Sequence, residues 1–513
     1  MIDISQSGVS RRWFLGAIGS AGALAGCRAI PFACCDRPLL RFGVVSDVHV
    51  RLADNGETLD EGYDTSTFEK TLAYYRDMGV DAVVIAGDMA DTGLFGELKA
   101  VADAWFKVFP NDRAPDGRKV ERVFVYGNHD AYGLRMGGRV YKSESDLRRE
   151  ALEVDPQRTW DACFHEEWKQ FFVKNVKGFD FYCSHWAPGI WCNGFAEVGC
   201  SGCWEAFREK MRAADPDWPF FYVQHPHPRE TVYGKGAWGA DDGSASDLLS
   251  PFPQAVAFSG HSHEPLCNER AMWRGSFTSV ATGSLRYLAA GSLWNRIRTA
   301  GYENGVCNFY LPGVVRADRP KYTAKYDAPK MMPEETSRFD IRVGQLVSVY
   351  EDRIEFAKRE FMSGLDIGVP WVVERPARAR SLYSFAREAV PAQFPAGAAL
   401  AAVRTKAKTR GMEPKGGLVV ASEELPALKL EFPAATEGGC VAEYEISAAS
   451  GKGGRWTTRI CAIGGLYPRA HANFSKGVVA TVPFADIPAG AKAVSVTPLD
   501  SFGNRGRPLT ASL

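Results

Sequence analysis

The chain has 513 residues, 45% of them hydrophobic and 24% charged, with 61 basic side chains against 61 acidic ones. That length exceeds what one core ordinarily supports, so two domains are expected. The balanced charge, with no Lys/Arg-rich run and no basic stripe with interleaved aromatics, argues against a nucleic-acid scaffold as partner, while a nucleotide stays open as substrate.

The first residues read as an address. Ser10-Arg11-Arg12-Trp13-Phe14-Leu15 precedes a mildly apolar, Gly/Ala-rich segment, Gly16 to Gly26, too short to stay in a bilayer as a helix. It resembles a twin-arginine export signal, with Gly16 where that pattern usually has Lys. Leu24-Ala25-Gly26-Cys27 resembles a bacterial lipobox, which implies cleavage before Cys27 and attachment to a membrane through a lipid on that residue. An ordinary soluble signal cut nearby is the other reading. Both place the mature chain in the periplasm or at the cell surface. No later stretch reaches the roughly 18 consecutive apolar residues of a membrane span. Of the twelve cysteines, eleven remain if Cys27 carries lipid, so at least one stays unpaired. Cys192, Cys200 and Cys203 form the one local cluster, and without a second Cys or His pair nearby a disulfide or buried thiols are expected there rather than zinc.

Strands and helices then alternate. Leu39 to Ser46 reads as a strand ending in Asp47-Val48-His49. Phe68, Leu72 and Tyr75 keep helical spacing, and Gly79 is placed to end that helix. Ala82 to Ala86 is a second strand, ending at Gly87-Asp88. Leu94, Leu98, Val101 and Trp105 form an amphipathic stripe, which returns the chain to strand Val123-Phe124-Val125-Tyr126 and the turn Gly127-Asn128-His129-Asp130. This βαβαβ order implies parallel neighbours with ligands beyond the strands' carboxyl ends. Residues of about 132–215 read as an insertion capping the site, with a helix around Trp168 to Val173 and a strand around Phe179 to Cys183. His185 is expected to be a hydrogen-bonded histidine without catalytic duty. Phe220 to Gln224 then delivers His225, and Ala255 to Ser259 delivers Gly260-His261-Ser262-His263.

Five of the nine histidines fall at these strand ends. Carboxylate, imidazole and one neutral amide, with no thiolate, suit divalent ions such as Mn, Fe or Zn rather than soft copper. Chance accounts for a lone Asp-X-His but not for four further blocks of the right residue types, each after a strand.

The set Asp-X-His, Gly-Asp, Gly-Asn-His-Asp, His and Gly-His-X-His, in order from Asp47 to His263, resembles the calcineurin-like metallophosphoesterase superfamily. The resemblance implies a four-layer α/β/β/α sandwich. It also implies one ion held by Asp47, His49, Asp88 and His263, and a second by Asp88, Asn128, His225 and His261, with Asp88 bridging. Two such ions, about 3.5–4 Å apart, share a hydroxide and clamp a phosphoryl oxygen for in-line attack. His129 is then the expected general acid or charge stabiliser at the leaving group, oriented by Asp130. His225 is preferred as ligand over His227, which reads as a rim residue able to contact substrate. Asp91 reads as a helix cap. Purple acid phosphatases have a Tyr at the Asp91 offset and lack a counterpart of His49, so that subfamily is disfavoured.

Beyond the last motif, Phe277 to Ala281 continues the sheet, and Gly283 to Tyr287 follows as a cleft segment with Arg286 as a phosphate contact. Leu346 to Tyr350 and Arg353 to Phe356 read as a hairpin closing a phosphoesterase domain of residues 37–371. A Pro/Ala/Arg-rich linker, 372–395, leads to residues 396–513. There, short runs at Leu428–Phe432, Val441–Ser447, Trp456–Cys461, Val478–Val482 and Ala493–Thr497 suggest a small all-β sandwich. Its ending, Val494 to Pro508, is similar to last-strand segments of fibronectin type III or immunoglobulin-like modules. His471 reads as a surface residue.

Three functions are compatible with these residues. The first is an exported dinuclear-metal hydrolase of a small-molecule or surface phosphate ester. The second is a surface binding or adhesion protein whose metal site is vestigial, which the intact ligand set and His129 argue against. The third is a narrower nucleotide or cyclic-nucleotide phosphodiesterase, calling for aromatic rings to clamp a base; Trp160, Trp168, Trp186 and Trp191 are available for this or for the core.

Overall fold

The computed structural model describes residues 37–53, 55–132, 156–186, 201–235, 237–287, 325–326, 342–377, 391–412, 418–419, 424–441, 443–451, 453–462, 478–484 and 487–513. The expected signal over residues 1–26, Cys27, Trp191, Cys192, Cys200, His471 and residues 378–390 of the expected linker lie outside them. No helix among the described residues is long and apolar enough to cross a membrane.

Runs such as Ala82-Val83-Val84-Ile85-Ala86 carry apolar side chains at every position, so both faces of their sheet must be covered. Strands β1 (Leu40–Val45), β2 (Ala82–Ala86) and β3 (Glu121–Val125) pair in parallel in that order. Between them run α1 (Ser66–Asp77) and α2 (Phe95–Val108), which bury Phe68, Leu72, Tyr75, Leu98, Val101 and Trp105 against one face. Gly79 ends α1 as expected, in the left-handed region at φ 71°, with its N–H donated to the Arg76 carbonyl.

A second sheet has the strand order β4 (Phe171–Val176), β5 (Phe179–Ser184), β6 (Phe220–Val223), β7 (Ala255–Ser259), β9 (Thr278–Ala281) and β8 (Met272–Arg274). Its pairs from β5 to β9 are parallel. Phe42 of β1 joins the two sheets, its ring edge-on to Phe181, Phe221 and Phe258 at centroid distances of 5.2, 4.9 and 5.7 Å. On the outer face of the second sheet, Phe207 of helix Ser201–Ala213 meets Tyr182, and Phe252, beyond helix Ser244–Leu249, meets Phe220. The result is the expected α/β/β/α layering.

Two expectations change here. The segment Trp168 to Val173 is not helical: Phe171–Val176 is β4, hairpinned to β5 through Lys177-Gly178, both at positive φ (52° and 91°). A two-residue turn with positive φ matches strand twist, and periodicity alone does not separate a short aromatic strand from a helix. The stretch 132–215 is therefore not a separate cap where it is described, because β4, β5 and the helix Ser201–Ala213 belong to the second sheet and its outer layer.

The first sheet is completed by antiparallel strands. After the two-residue β10 (Lys325–Tyr326), β11 (Val343–Val349) lies beside β1, and β12 (Arg353–Glu360) forms the expected hairpin with it. β13 (Leu365–Asp366) and β14 (Trp371–Glu374) both pair with β12, so Val372–Glu374, read as the start of a linker, is strand. The C-terminal region is β-rich. Ala401–Met412, Glu424–Phe432 and Val478–Pro483 form one antiparallel sheet, which also takes β10. Glu443–Ser450, Arg455–Cys461, Ala491–Leu499 and Leu509–Ser512 form another. Phe432 of the first meets Tyr444 of the second at 5.1 Å.

Candidate metal centre

All five motif blocks leave the carboxyl ends of parallel strands, three from the first sheet and two from the second. The chain must turn sharply there to aim its ligands inward. Asp47, His49, Asp88, His261 and His263 accordingly hold left-handed backbone conformations, φ between 48° and 67°. Such residues cost of order 1–3 kcal/mol each and persist where the surroundings over-determine them. The surroundings here are crowded. A Cβ on Gly127 would stand 2.1 Å from Asp88 Oδ1, and one on Gly87 would stand 2.3 Å from His225 Nδ1. The glycine of one block therefore leaves room for the ligand of another.

The structure brings Asp47, His49, Asp88 and His263 into one group and Asp88, His225 and His261 into a second, with the offered ligand atoms of each within 4.8 Å of one another. Asp88 is common to both. His263 Nε2 lies 2.8 Å from Asp47 Oδ1, His225 Nε2 3.0 Å from Asp88 Oδ2, and His49 Nε2 3.7 Å from Asp88 Oδ2. The main-chain N–H of His129 donates to Asp88 Oδ1 at 2.9 Å, which ties the Asn128 turn to the shared carboxylate.

The other ring nitrogen is anchored in three of the ligand imidazoles. His225 Nδ1 faces the Ala86 carbonyl at 2.7 Å and His263 Nδ1 the Tyr287 carbonyl at 3.0 Å, which leaves Nε2 as the donor atom toward the cluster. His49 Nδ1 lies 3.1 Å from Asp91 Oδ1.

A divalent pair fits this donor set. Asn128 Oδ1 is buried without a hydrogen-bond partner among the described residues, and the Nε2 atoms of His49 and His263 face each other at 3.2 Å. Two carboxylates and imidazole lone pairs converging out of water call for positive charge. Burial acts to lower the His225 pKa, but Asp88 and Asp47 push it up to about 9. Burial likewise acts to raise Asp47, and His263, His49 and His225 hold it well below the usual carboxylate range.

The remaining predicted residues are placed as follows. His129 sets its ring edge-on to His49 at 4.6 Å, and its Nδ1 faces the Asp91 carbonyl at 2.7 Å. Asp130 does not orient that ring: its carboxylate accepts from the main-chain N–H groups of Met89, Ala90 and Gly127. It staples the turn to the Asp88 loop. Burial and the charge of Asp88 push its pKa up to about 7. Asp91 is not the cap of α2 either, since Glu97 takes that part by accepting from the N–H groups of Thr92, Leu94 and Leu52.

His227 is buried rather than on a rim, its N–H donated to the Gly239 carbonyl and both ring nitrogens without a partner; burial lowers its pKa to about 4. Arg286 is buried with its guanidinium 3.3 Å from the Tyr63 ring centroid, and Arg51 lies 3.5 Å from the same centroid. Two guanidiniums at those distances fit only on opposite faces. Tyr287 lines the cleft as expected of its segment, 4.3 Å from the His263 ring. His185 fits its structural reading, with Nδ1 accepting from the Tyr126 N–H at 2.9 Å.

Residues 40–265 match the calcineurin-like phosphoesterase family. They form a calcineurin-like phosphoesterase domain. This domain carries the His/Asp cluster. No curated protein matches the sequence. Among solved structures, the chain is similar to a purple acid phosphatase from yellow lupin (Lupinus luteus) seeds, with 13% identity over 67% of this chain and 54% of that one, TM-score 0.36. It thus spans about half the length of the lupin protein. A conserved uncharacterized protein and predicted phosphoesterase from Streptococcus pneumoniae is 11% identical over 66% of this chain and 98% of its own, TM-score 0.24. The phosphopantetheinyl hydrolase of Mycobacterium tuberculosis is 16% identical over 47% and 89%, TM-score 0.27.

Proposed function

We propose that the chain is an exported dinuclear-metal hydrolase of phosphate esters. The observation that carries this reading is the pair of ligand groups sharing Asp88, bordered by the buried Asn128 Oδ1, which has no hydrogen-bond partner among the described residues. Asp47, His49, Asp88 and His263 would hold one ion, and Asp88, Asn128, His225 and His261 the other. Mn, Fe or Zn suits these donors. The chemistry two such ions supply is polarisation of a phosphoryl oxygen and acidification of water near neutral pH.

The chain's own groups do the rest. A carbonyl can only accept, so the contact with Asp91 makes Nδ1 of His129 a protonated nitrogen; Nε2 is then the free position, and it can give a proton to a leaving-group oxygen only from the imidazolium, in which both ring nitrogens carry hydrogen. Such help is worth typically about 10²–10⁴-fold. Asp130 keeps Asn128 and His129 in register with Asp88 by gripping three main-chain N–H groups of the two loops. Asn128, as a neutral ligand, withholds the charge a third carboxylate would bring.

Export rests on Arg11-Arg12 and the following Gly/Ala-rich segment, and a lipid on Cys27 would tether the enzyme where it meets a small-molecule or surface phosphoester. Fractionation of cells expressing the chain tests this, with an Arg11→Lys, Arg12→Lys variant expected to stay in the cytoplasm. The catalytic reading is tested by assaying the Mn-loaded chain on an aryl phosphomonoester and an aryl phosphodiester beside Asn128→Ala and His129→Ala. Both variants are expected to lose at least about a hundredfold. Equal turnover by His129→Ala would remove it from the mechanism, and a wild type inert with two bound ions would favour the binding-protein reading.

A further inference from the structure

Of the tryptophans expected to clamp a base, Trp191 lies outside the described residues and the other three are engaged in packing. Trp160 and Trp168 pack with Tyr126 and His185, and Trp186 is buried edge-on to His225. Trp238, which the sequence did not single out, behaves differently. Its ring lies nearly parallel to that of His261, with centroids 4.7 Å apart and planes 19° apart, yet the residue is 67% exposed. One indole face covers a ligand of the second ion and the other meets solvent.

The loop that carries it is built rather than slack. Asp241 accepts from the main-chain N–H groups of Arg229, Gly243 and Ala245 and from the Gln224 side chain. The main chain of His227 pairs with both residues that flank Ala240, its N–H donated to the Gly239 carbonyl and its carbonyl accepting from the Asp241 N–H. Gly239, at φ 92°, adopts a conformation that side chains resist, and a Cβ there would stand 3.1 Å from His261 Cδ2. The glycine lets the indole come down flat on the imidazole.

The opposite end of the cleft is filled differently. Tyr287 packs on His263 and His129 on His49, and the Arg51–Tyr63–Arg286 stack lies behind them. With the phosphoryl group at the ions, the organic part of an ester that leaves on the His261 side meets the open indole. A saturated group gains only apolar contact there, whereas a planar unsaturated group gains offset stacking as well.

We propose that Trp238 is a stacking platform for a planar unsaturated group, aryl or nucleobase, carried by the phosphoester substrate, and that it sets a preference for such esters over those of saturated alcohols. This rests on the phosphoesterase reading of the site. The test measures calorimetric binding of three ligands that are not hydrolysed to the Mn-loaded full chain: methylphosphonate, phenylphosphonate and the phosphonate analogue of adenosine 5′-phosphate. Wild type is expected to bind at least one planar ligand about tenfold more tightly than methylphosphonate. Trp238→Leu should bring that ratio to within about twofold of one, and Trp238→Phe should keep most of it. Preference for phenylphosphonate marks an aryl group, and preference confined to the nucleoside ligand marks a base.

A wild type that binds all three equally, or none, overturns the platform, as does a preference that survives in Trp238→Leu. Metal content is measured in each variant, so that a loss shared by all ligands is traced to His261 and also counts against it. Turnover of phenyl phosphate and glycerol phosphate, followed in parallel, separates the two readings. Planar preference in binding without any turnover would leave the platform standing and remove the hydrolase.

Discussion

Asp91 Oδ1 lies 3.1 Å from Nδ1 of His49, and the main-chain carbonyl of the same residue faces Nδ1 of His129 at 2.7 Å. One residue thus fixes the tautomer of a ligand through its side chain and of the proposed acid through its backbone. The two roles are separable by mutation. Asp91→Ala should weaken Mn binding about 10–100-fold, the range for losing an outer partner of a ligating histidine, while leaving the His129 contact in place. Competition titration of the metal against a chelator checks this, and wild-type affinity in the variant would show that His49 needs no such partner.

The contact between Gly127 and Asp88 gives a second prediction. Gly127→Ala forces a Cβ to within 2.1 Å of Asp88 Oδ1 and 2.6 Å of its main-chain nitrogen, where no flexible side-chain end can give way on both sides. The shared carboxylate must move. We expect a destabilisation of about 1–3 kcal/mol, the usual cost of overpacking, together with fewer than two ions bound per chain. Thermal denaturation and metal analysis of the purified variant measure both, and a variant holding two ions would mean that Asp88 does not bridge.

The ligands were legible because each ends an apolar strand, and polar residues such as Asp47, Asp88 and His225 at that position have no solvent-side explanation. Asp91 was misread because an acidic residue just before a helix looks like a cap from sequence, and only the fold shows that Glu97 already fills that part. Asp130 was misread because adjacency to His129 suggested contact, whereas in the first turn of a helix neighbouring side chains diverge. The strand Ala401–Met412 escaped notice for a different reason. Its Ala, Lys, Arg and Thr residues lack a regular apolar alternation, and it is the partners Glu424–Phe432 and β10 that hold it. Trp238 carries no pattern at all, being one ring in a Gly-rich loop, and its meaning comes from His261, 23 positions onward.

Phe42 gives a prediction about the sandwich itself. It is fully buried on β1 and touches the rings of three strands of the opposing sheet. Phe42→Ala should cost about 3–5 kcal/mol, with most of the loss as a cavity between the sheets, whereas Phe42→Leu should cost less. Urea unfolding of the two variants gives the difference. Because β1 also ends in Asp47 and His49, the Ala variant is expected to bind metal more weakly as well.

His185 supplies the pH dependence most free of the metal. Its ring stacks on Trp168 at 3.9 Å and is edged by Trp160, while Nδ1 accepts from the Tyr126 N–H, so the folded chain has no place for a second ring proton there. Burial, helped by the charge of Lys174, holds its pKa well below the ordinary histidine value. In the unfolded chain the same ring takes a proton near pH 6.5. Below that pH the unfolded state binds the extra proton and gains, so the stability tied to neutral His185 is fully present above about pH 6.5 and is lost as the pH falls toward the folded value. The slope from one such group is at most about 1.4 kcal/mol per pH unit. Urea unfolding at about pH 7.5 and about pH 5 should therefore show a larger acid loss for wild type than for His185→Asn, which cannot titrate in that range. Equal slopes in the two proteins would mean that His185 accepts its proton in the folded state, contrary to its place in the aromatic cluster.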